Sequence, residues 1–526
     1  MRLCVILLPC FPPPDVVLLR MATTTGTENY FKRLAHQNIP EQAIRTLGKT
    51  GVKVSGIGFG GYRVHHNSVE HAMALRYALL NGCNLIDTSS NYTDGGSEML
   101  IGNLLQEMFE RSELGRDEVV VVSKVGYVQG QNLQLAQQAE TDGKPFPDMV
   151  KYMDGCWHCI HPEFLEDQLS RALERLRLPA LDIYLLHNPE YFLSDKKKHN
   201  GTDVQAARDE YYRRIKRAFA WLEEKVAEGR IMAYGISSNT FPATANDFEF
   251  TSLEKVLEMA REVASDNYFK VIQFPFNLFE IGAVSEKNQA SGSQTLLALA
   301  QEEGLATLVN RPLNAMYNGV MIRLASFRES HPKAIIDLFN SKRTTLQRLE
   351  KQFKDVFRAK VPEQVPAETL DTAFSLSKQL ERALSAYQSL EHWDHVKQNV
   401  IVPQNLSLLS YLNHTLADEH GWPKWAESYT RALTDFLDAI NSQYENEAQE
   451  RSLQLSGKLK SLVEELANSA TLSQQALRVL MSAPGIDCVL LGMRRTPYVE
   501  DALEALKAPA VPEAKNLLVE LNAEEH

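Results

Sequence analysis

Residues 85–98, LIDTSSNYTDGGSE, bring an apolar run to its end in a carboxylate. Leu85 and Ile86 read as the close of a buried strand, Asp87 stands where the strand stops, and Tyr92 follows among Ser, Asn, Thr and Gly. The next stretch, SEMLIGNLLQEMF, places its apolar residues at helical spacing. A strand that ends in polar residues and leads into an amphipathic helix is part of a β/α unit. The fold depends on whether that unit recurs.

It recurs along most of the chain. Upstream, GVKVSGIGF (51–59) precedes SVEHAMALRYALLNG (68–82), with Ser68 as helix cap and Gly82 just past the helix end. Downstream come VVVVSKVG (119–126), LDIYLLH (181–187), IMAYGIS (231–237), KVIQFPF (270–276), LATLVN (305–310) and DCVLLGM (487–493), most followed by a helical pattern. Such alternation implies a parallel sheet, and eight runs fit a closed (β/α)8 TIM barrel better than an open sheet. Polar residues gather where the runs end: Asp87, Lys124, His187, Ser237 with Ser238 and Asn239, Asn277 and Asn310. A barrel puts those ends on one face, where barrel enzymes hold their active sites.

The rhythm breaks between the seventh and eighth runs. No glycine occurs between Gly319 and Gly421, and AIIDLFNSKRTTLQRLEKQF (334–353) and AETLDTAFSLSKQLERALSAYQSL (367–390) repeat apolar residues at helical spacing. The expected organisation is an N-terminal extension (1–44), a first part of the barrel (45–315), a helical insertion between strands seven and eight (316–470), and a last part with the C-terminal tail (471–526).

Bulk properties exclude several classes. The 526 residues are 44% apolar and 23% charged, ordinary for a soluble globular protein, and the net charge of −12 leaves no basic footprint for nucleic acid or anionic membrane. No apolar stretch approaches the ~20 residues that span a bilayer. Six cysteines do not make a disulfide scaffold, so a reducing, cytoplasmic compartment is expected. The opening MRLCVILLPCFPPPDVVLLR (1–20), broken by prolines, reads as untidy sequence ahead of a second possible start at Met21. Lys196, Lys197 and Lys198, beside Asp195, His199, Asn200 and Gly201, read as a solvated loop.

Two motifs are set aside. Gly56, Gly58 and Gly61 match G-x-G-x-x-G, but YRVHHN intervenes before the helix, so no helix N-terminus meets a pyrophosphate there; the glycines are expected to serve a tight turn. Cys156, His158, Cys159 and His161 resemble a metal-ligand set and would suit a metal-dependent hydrolase. Ligands so close in sequence rarely close one tetrahedral site, and no metal is assigned.

Asp87, Tyr92, Lys124 and His187 come from the ends of three successive strands, so a barrel brings them together. A phenol is a poor acid at neutral pH; a nearby ammonium lowers its pKa, a carboxylate orients the ammonium, and an imidazole donates to a substrate oxygen. The set suits proton transfer to a carbonyl or from an alcohol.

These residues resemble the aldo-keto reductases, over 45–313 and again over 472–508. DTSSNYTDGGSE is similar to the family's acid–tyrosine segment, VVSKVG to its lysine strand, LLHNPE to its histidine strand, GISSN and QFPFN to its nicotinamide-amide segments, and LLGMRRTPYVEDAL to its cofactor-phosphate segment. The resemblance implies an NADP(H)-linked oxidoreductase acting on an aldehyde, ketone or sugar carbonyl. It implies Tyr92 as general acid/base, Lys124 with Asp87 as its tuning pair, and His187 as the group orienting the carbonyl. The cofactor set it implies is Gly60, Gly61, Ser238, Asn239, Gln273, Gly492, Arg494, Arg495 and Asp501. Two positions depart from the pattern: Asn310 replaces the aromatic that stacks on the nicotinamide, and Ala502, beside Asp501, replaces an adenine-contacting Asn. The rival expectation is a barrel acting as scaffold or regulatory subunit, with the helical insertion as its protein-partner surface.

Overall fold

Eight parallel strands close on one another in chain order: β1 (Ile57–Gly60), β2 (Leu85–Asp87), β3 (Val120–Val125), β4 (Leu181–His187), β5 (Ile231–Ser237), β6 (Phe269–Pro275), β7 (Ala306–Asn310) and β8 (Cys488–Leu491). The computed structural model describes residues 20–198, 203–317, 319–327 and 332–523. Barrel strands are buried on both faces and therefore read as unbroken apolar runs; all six residues of β3 are buried. Their register sets the rim: Gly60 lies opposite Asp87, Lys124 opposite Leu185, and Ser237 opposite both His187 and Gln273.

The intervening helices are α1 (Val69–Leu80), α2 (Gly96–Glu110), α3 (Pro162–Leu176), α4 (Val204–Ala227), α5 (Leu253–Val263), α6 (Leu296–Glu303), α7 (Leu472–Ser482) and α8 (Thr496–Lys507). Their starts follow capping chemistry. Ser68 Oγ accepts from the His71 N–H, Asp203 from Gln205 and Ala206, Ser252 from Lys255, and Thr295 from Ala298.

Three segments differ from the sequence reading. GVKVSGIGF is two elements: Lys53–Ser55 pairs antiparallel with Ile44–Thr46, and only Ile57–Gly60 enters the barrel. Val52 and Val54 pack with Leu47 against Leu85, Val120, Val122 and Ile183, so the hairpin joins the core that fills the barrel interior. Each such aliphatic side chain stabilises the fold by ~1.5–3 kcal/mol. Residues 127–161, to which the sequence reading assigned no strand or helix, are structured. They hold a helix, Gly130–Thr141, and a three-stranded antiparallel sheet of Tyr127–Val128, Cys156–His158 and Val150–Met153. Two of the three lysines end a short helix, Tyr191–Lys197, and Lys197 pairs with Glu249 at 2.9 Å while Lys198 Nζ donates to the Tyr152 carbonyl. His199, Asn200 and Gly201 lie outside the described residues, as does the N-terminal stretch up to residue 19.

The chain divides into two compact units, one running to Leu313 and resuming at Ser473, the other Asn314–Leu472. The second holds helices including Pro332–Gln352 and the 41-residue Trp422–Leu462, with a short antiparallel pair, Asn314–Tyr317 and Val320–Arg323. Its core combines leucines with a cluster of aromatic rings. Phe353 stacks on Phe374, Trp425 on Tyr429, and the Trp425 indole N–H donates to the Leu349 carbonyl at 3.2 Å. Among the described residues no helix is long and apolar enough to cross a membrane.

Candidate functional site

A buried ion pair sits at the rim where β2 and β3 end. Lys124 Nζ donates to Asp87 Oδ2 at 2.5 Å and to the Thr88 carbonyl at 2.8 Å, with the lysine side chain wholly buried. Asp87 Oδ1 accepts from Gln273 Nε2 at 2.8 Å, and Gln273 Oε1 accepts from Ser237 Oγ at 2.8 Å. One hydrogen-bonded chain thus links the ends of four strands. Burial lowers the Lys124 pKa, and the Asp87 charge opposes that fall.

Tyr92 lies over this pair, with Lys124 Nζ 5.0 Å from its ring centroid. The turn that carries it, Tyr92–Gly95, holds Thr93 (φ 49°) and Asp94 (φ 57°) in the left-handed region, which non-glycine residues adopt at a cost. Thr93 Oγ1 donating to the Val64 carbonyl, and Asp94 Oδ1 accepting from the Gln131 N–H, hold the turn there. His187 meets Tyr92 edge-on at 6.0 Å, and its Nδ1 lies 3.1 Å from Ser89 Oγ. Burial, then the Lys124 charge, push the imidazole well below its ordinary pKa, so it is neutral at pH 7.

The phenol differs from expectation. An ammonium beside Tyr92 was expected to lower its pKa; burial, Asp87 and Tyr62 instead push it well up. Lys124 directs its hydrogen bonds to Asp87 and Thr88, so the partner carboxylate largely offsets its charge as seen from the ring.

The remaining residues split into two groups. Gln273 is engaged by Asp87 and Ser237, Ser238 Oγ lies within 3.3 Å of both Thr240 Oγ1 and Thr251 Oγ1, and Asp501 accepts from Ser473 Oγ (2.5 Å) and Gln474 Nε2 (3.0 Å). These side chains brace the protein. Asn239 is exposed and lines a cleft of about 580 Å³ with Pro275, Glu280, Arg311 and Asn522. Asn310 Oδ1 is buried with no hydrogen-bond partner among the described residues. A Cβ on Gly492 would meet nothing within 4 Å, which leaves room for a ligand at the backbone. Arg495 occupies the cap position of α8 and its Nε donates to Glu70 Oε1 at 3.0 Å, both side chains more than half exposed.

The glycine motif has a different cause from the tight turn expected. None of Gly56, Gly58 and Gly61 has a positive φ. A Cβ on Gly58 would lie 2.9 Å from Cys488, Leu490 and Leu85 side-chain atoms, and one on Gly61 would lie 2.6 Å from Ser97 Oγ. They are crowded positions in barrel packing, and Gly60 and Gly61 stand beside Asp87 for that reason: the Gly61 N–H donates to the Asp87 carbonyl at 2.7 Å. The Cys–His segment is likewise internal. His158 Nε2 lies 2.7 Å from the His187 carbonyl oxygen, Gln129 Nε2 donates to Cys156 Sγ, and Cys159 Sγ donates to the Pro147 carbonyl. Among the described residues no three His, Cys, Asp or Glu side chains form a metal cluster.

The sequence reading missed four residues around the rim. Tyr62 meets the Tyr92 ring at 5.4 Å, and Tyr127 meets His187 at 4.7 Å and Tyr191 at 5.1 Å. Glu190, three residues past His187, is 4% exposed; its Oε1 accepts from the Asn239 N–H at 2.8 Å. Burial pushes its carboxyl up to about 7. The signal was present, since an acid directly after a buried strand end is unusual, but its partner lies 49 residues away.

The sequence model of the Aldo/keto reductase family matches residues 56–354, more than half of the chain. A putative voltage-gated potassium channel subunit beta of Schizosaccharomyces pombe is 28% identical over 158 residues, covering 29% of this chain and 38% of that protein. The NADH-specific methylglyoxal reductase of Escherichia coli is 26% identical over 149 residues, covering 27% and 40%. The chain thus spans less than half the length of these two relatives. An aldo/keto reductase from Klebsiella pneumoniae, solved with NADP and acetate, aligns at 14% identity and a TM-score of 0.42 over 91% of this chain and 95% of that one. With the family's sequence model matched across the first seven barrel strands and the rim residues they carry, the chain belongs to the aldo/keto reductase family.

Proposed function

We propose that the protein is an NADP(H)-dependent oxidoreductase acting on the carbonyl or alcohol carbon of a small aldehyde, ketone or sugar. The observation that carries the reading is the buried Asp87–Lys124 pair beneath Tyr92, with His187 edge-on to the same ring. A barrel needs no buried ion pair at its mouth for stability, because an apolar pair of the same volume serves as well or better. The residues suit the cofactor: Asn239 and the buried Asn310 Oδ1 offer polar groups to the nicotinamide end, and Gly492, Arg494 and Arg495 sit where α8 points its N-terminus. When bound, the nicotinamide supplies or accepts the hydride.

The protein's own groups manage the proton. Tyr92, kept un-ionised by burial and by Asp87, donates its proton to the oxygen of a carbonyl substrate beside the Asp87–Lys124 pair and regains one from solvent after the alcohol leaves. His187 is neutral, and the contact of its Nδ1 with Ser89 Oγ at 3.1 Å fixes the ring beside Tyr92, where it orients the same oxygen. We assign 316–470 as an insertion between β7 and β8, a unit with a core of its own.

A second reading, a barrel serving as regulatory or scaffold subunit through its helical unit, draws on Asn310 in place of a stacking aromatic and on the channel-subunit name of one relative. Titration with NADPH and NADH, followed by cofactor fluorescence, separates the two. The enzyme reading expects NADPH to bind at least ~10-fold tighter, with the preference lost in an Arg494→Ala/Arg495→Ala variant and weakened by salt. Detection of neither cofactor at millimolar concentration overturns it in favour of the scaffold.

A further inference from the structure

Glu190 is buried, and the backbone around it engages its carboxyl group. Oε1 accepts from the Asn239 N–H at 2.8 Å and Oε2 is buried, while the Ser238 hydroxyl and the residue's own N–H also favour the charged carboxylate. The Asn188 N–H donates to the Ser237 carbonyl at 2.7 Å, so the turn bearing Glu190 and the turn bearing Ser238 and Asn239 are bound together at the rim. The groups facing Glu190 come from several elements. Tyr211 on α4, Tyr127 on the rim sheet and Tyr191 at the start of its short helix are phenols that burial pushes up, so they stay neutral through the physiological range. Glu249, a carboxylate that also bears on it, is paired with Lys197 at 2.9 Å. No cation is fixed against Glu190 among these groups, and its ordinary value of 4.5 rises to about 7.

We propose that Glu190 is a positioning residue for the nicotinamide end of the cofactor, holding the Ser238–Asn239 turn through Oε1 and exchanging a proton with solvent according to the charge of the bound ring. The inference rests on the reading that Asn239 faces an NADP(H) nicotinamide. Oxidised cofactor brings a positive ring, which favours the carboxylate; reduced cofactor brings a neutral ring and leaves the proton in place. Binding of the oxidised form therefore releases a proton to the buffer near pH 7, and binding of the reduced form does not.

The test is calorimetric titration of the full chain with NADP+ and with NADPH at pH 6, 7 and 8, in buffers of different ionisation enthalpy so that protons are counted. The ratio of Kd for oxidised over reduced cofactor falls about fivefold from pH 6 to 8 if the ring charge changes the carboxyl's proton affinity by about tenfold. Titration of the 2′-phosphate cancels in that ratio because both forms carry it. In Glu190→Gln the side-chain oxygen still accepts from Asn239, so the ratio becomes flat with pH while NADPH affinity stays within about threefold of wild type. In Glu190→Ala the anchor is lost and both forms bind more weakly. A flat ratio in the wild type, equal proton counts for the two forms, or an unchanged slope in Glu190→Gln overturns the proposal and leaves the cofactor reading standing. Should the Gln variant not fold, the wild-type proton counts decide alone. A wild-type protein that binds neither form overturns the cofactor reading, and this proposal with it.

Discussion

Removing either member of the Asp87–Lys124 pair should destabilise the barrel, and loss of the carboxylate should in addition make stability rise with pH. Both side chains are nearly or wholly buried at 2.5 Å, so each deletion leaves an uncompensated charge, at a cost of about 3–5 kcal/mol. In Asp87→Asn, Lys124 keeps only the Thr88 carbonyl as acceptor and loses the charge that opposed its burial. It becomes neutral in the fold but stays charged in the unfolded chain, so the unfolded state binds more protons and stability rises with pH, by up to ~1.4 kcal/mol per pH unit. In Lys124→Met, Asp87 loses its counter-ion and keeps Gln273 as donor, so the variant is destabilised without that rising slope. The double variant, with no charge left, should lose less than the two single losses combined and show no slope. Hydrogen exchange of peptides covering Val120–Val125 between pH 6 and 9, corrected for the intrinsic exchange rate, reads the barrel separately from the helical unit. Single losses below ~1 kcal/mol, or a flat pH profile in Asp87→Asn, would refute the account of a desolvated pair.

Tyr92→Phe should abolish turnover while leaving cofactor affinity nearly unchanged, because only the transition state uses the phenolic proton; a variant keeping more than about a tenth of wild-type kcat removes Tyr92 from the role of acid. Glu190 carries its proton in the fold up to about pH 7 and loses it near 4.5 when unfolded. Folding thus takes up a proton between those values, so this group makes stability fall as pH rises through that window, by up to about 3 kcal/mol. Glu190→Gln should remove that slope in urea unfolding, and an equal slope in both proteins would assign it elsewhere. Replacing 320–468 with a short flexible linker should leave a soluble barrel, checked by circular dichroism and gel filtration, because the second unit keeps its core within its own residues. Aggregation would show that its apolar surface completes the barrel.

The barrel was legible because a parallel strand buried on both faces must be apolar throughout. VVVVSKVG, LDIYLLH and KVIQFPF announce themselves without knowledge of their neighbours, and capping residues such as Ser68 and Ser252 mark the helices. The same local rule placed Asp87, Lys124 and His187 on one rim, since a strand that stops being apolar has reached the barrel mouth. What the sequence could not determine depends on distances between residues far apart in the chain. Whether GVKVSGIGF was one strand or two turned on Val52 and Val54 meeting Val120, Val122 and Ile183. Whether Tyr92 felt an ammonium or a carboxylate turned on the direction of one lysine head group, which Asp87 and Thr88 capture. The glycines of SGIGFGG are small because strands two and eight and neighbouring side chains such as Met481 and Ser97 press on them, and Glu190 matters through an N–H from another strand's loop. Periodicity and capping act within a few residues and survive translation into a pattern; desolvation and charge act through space and exist only once the barrel has closed.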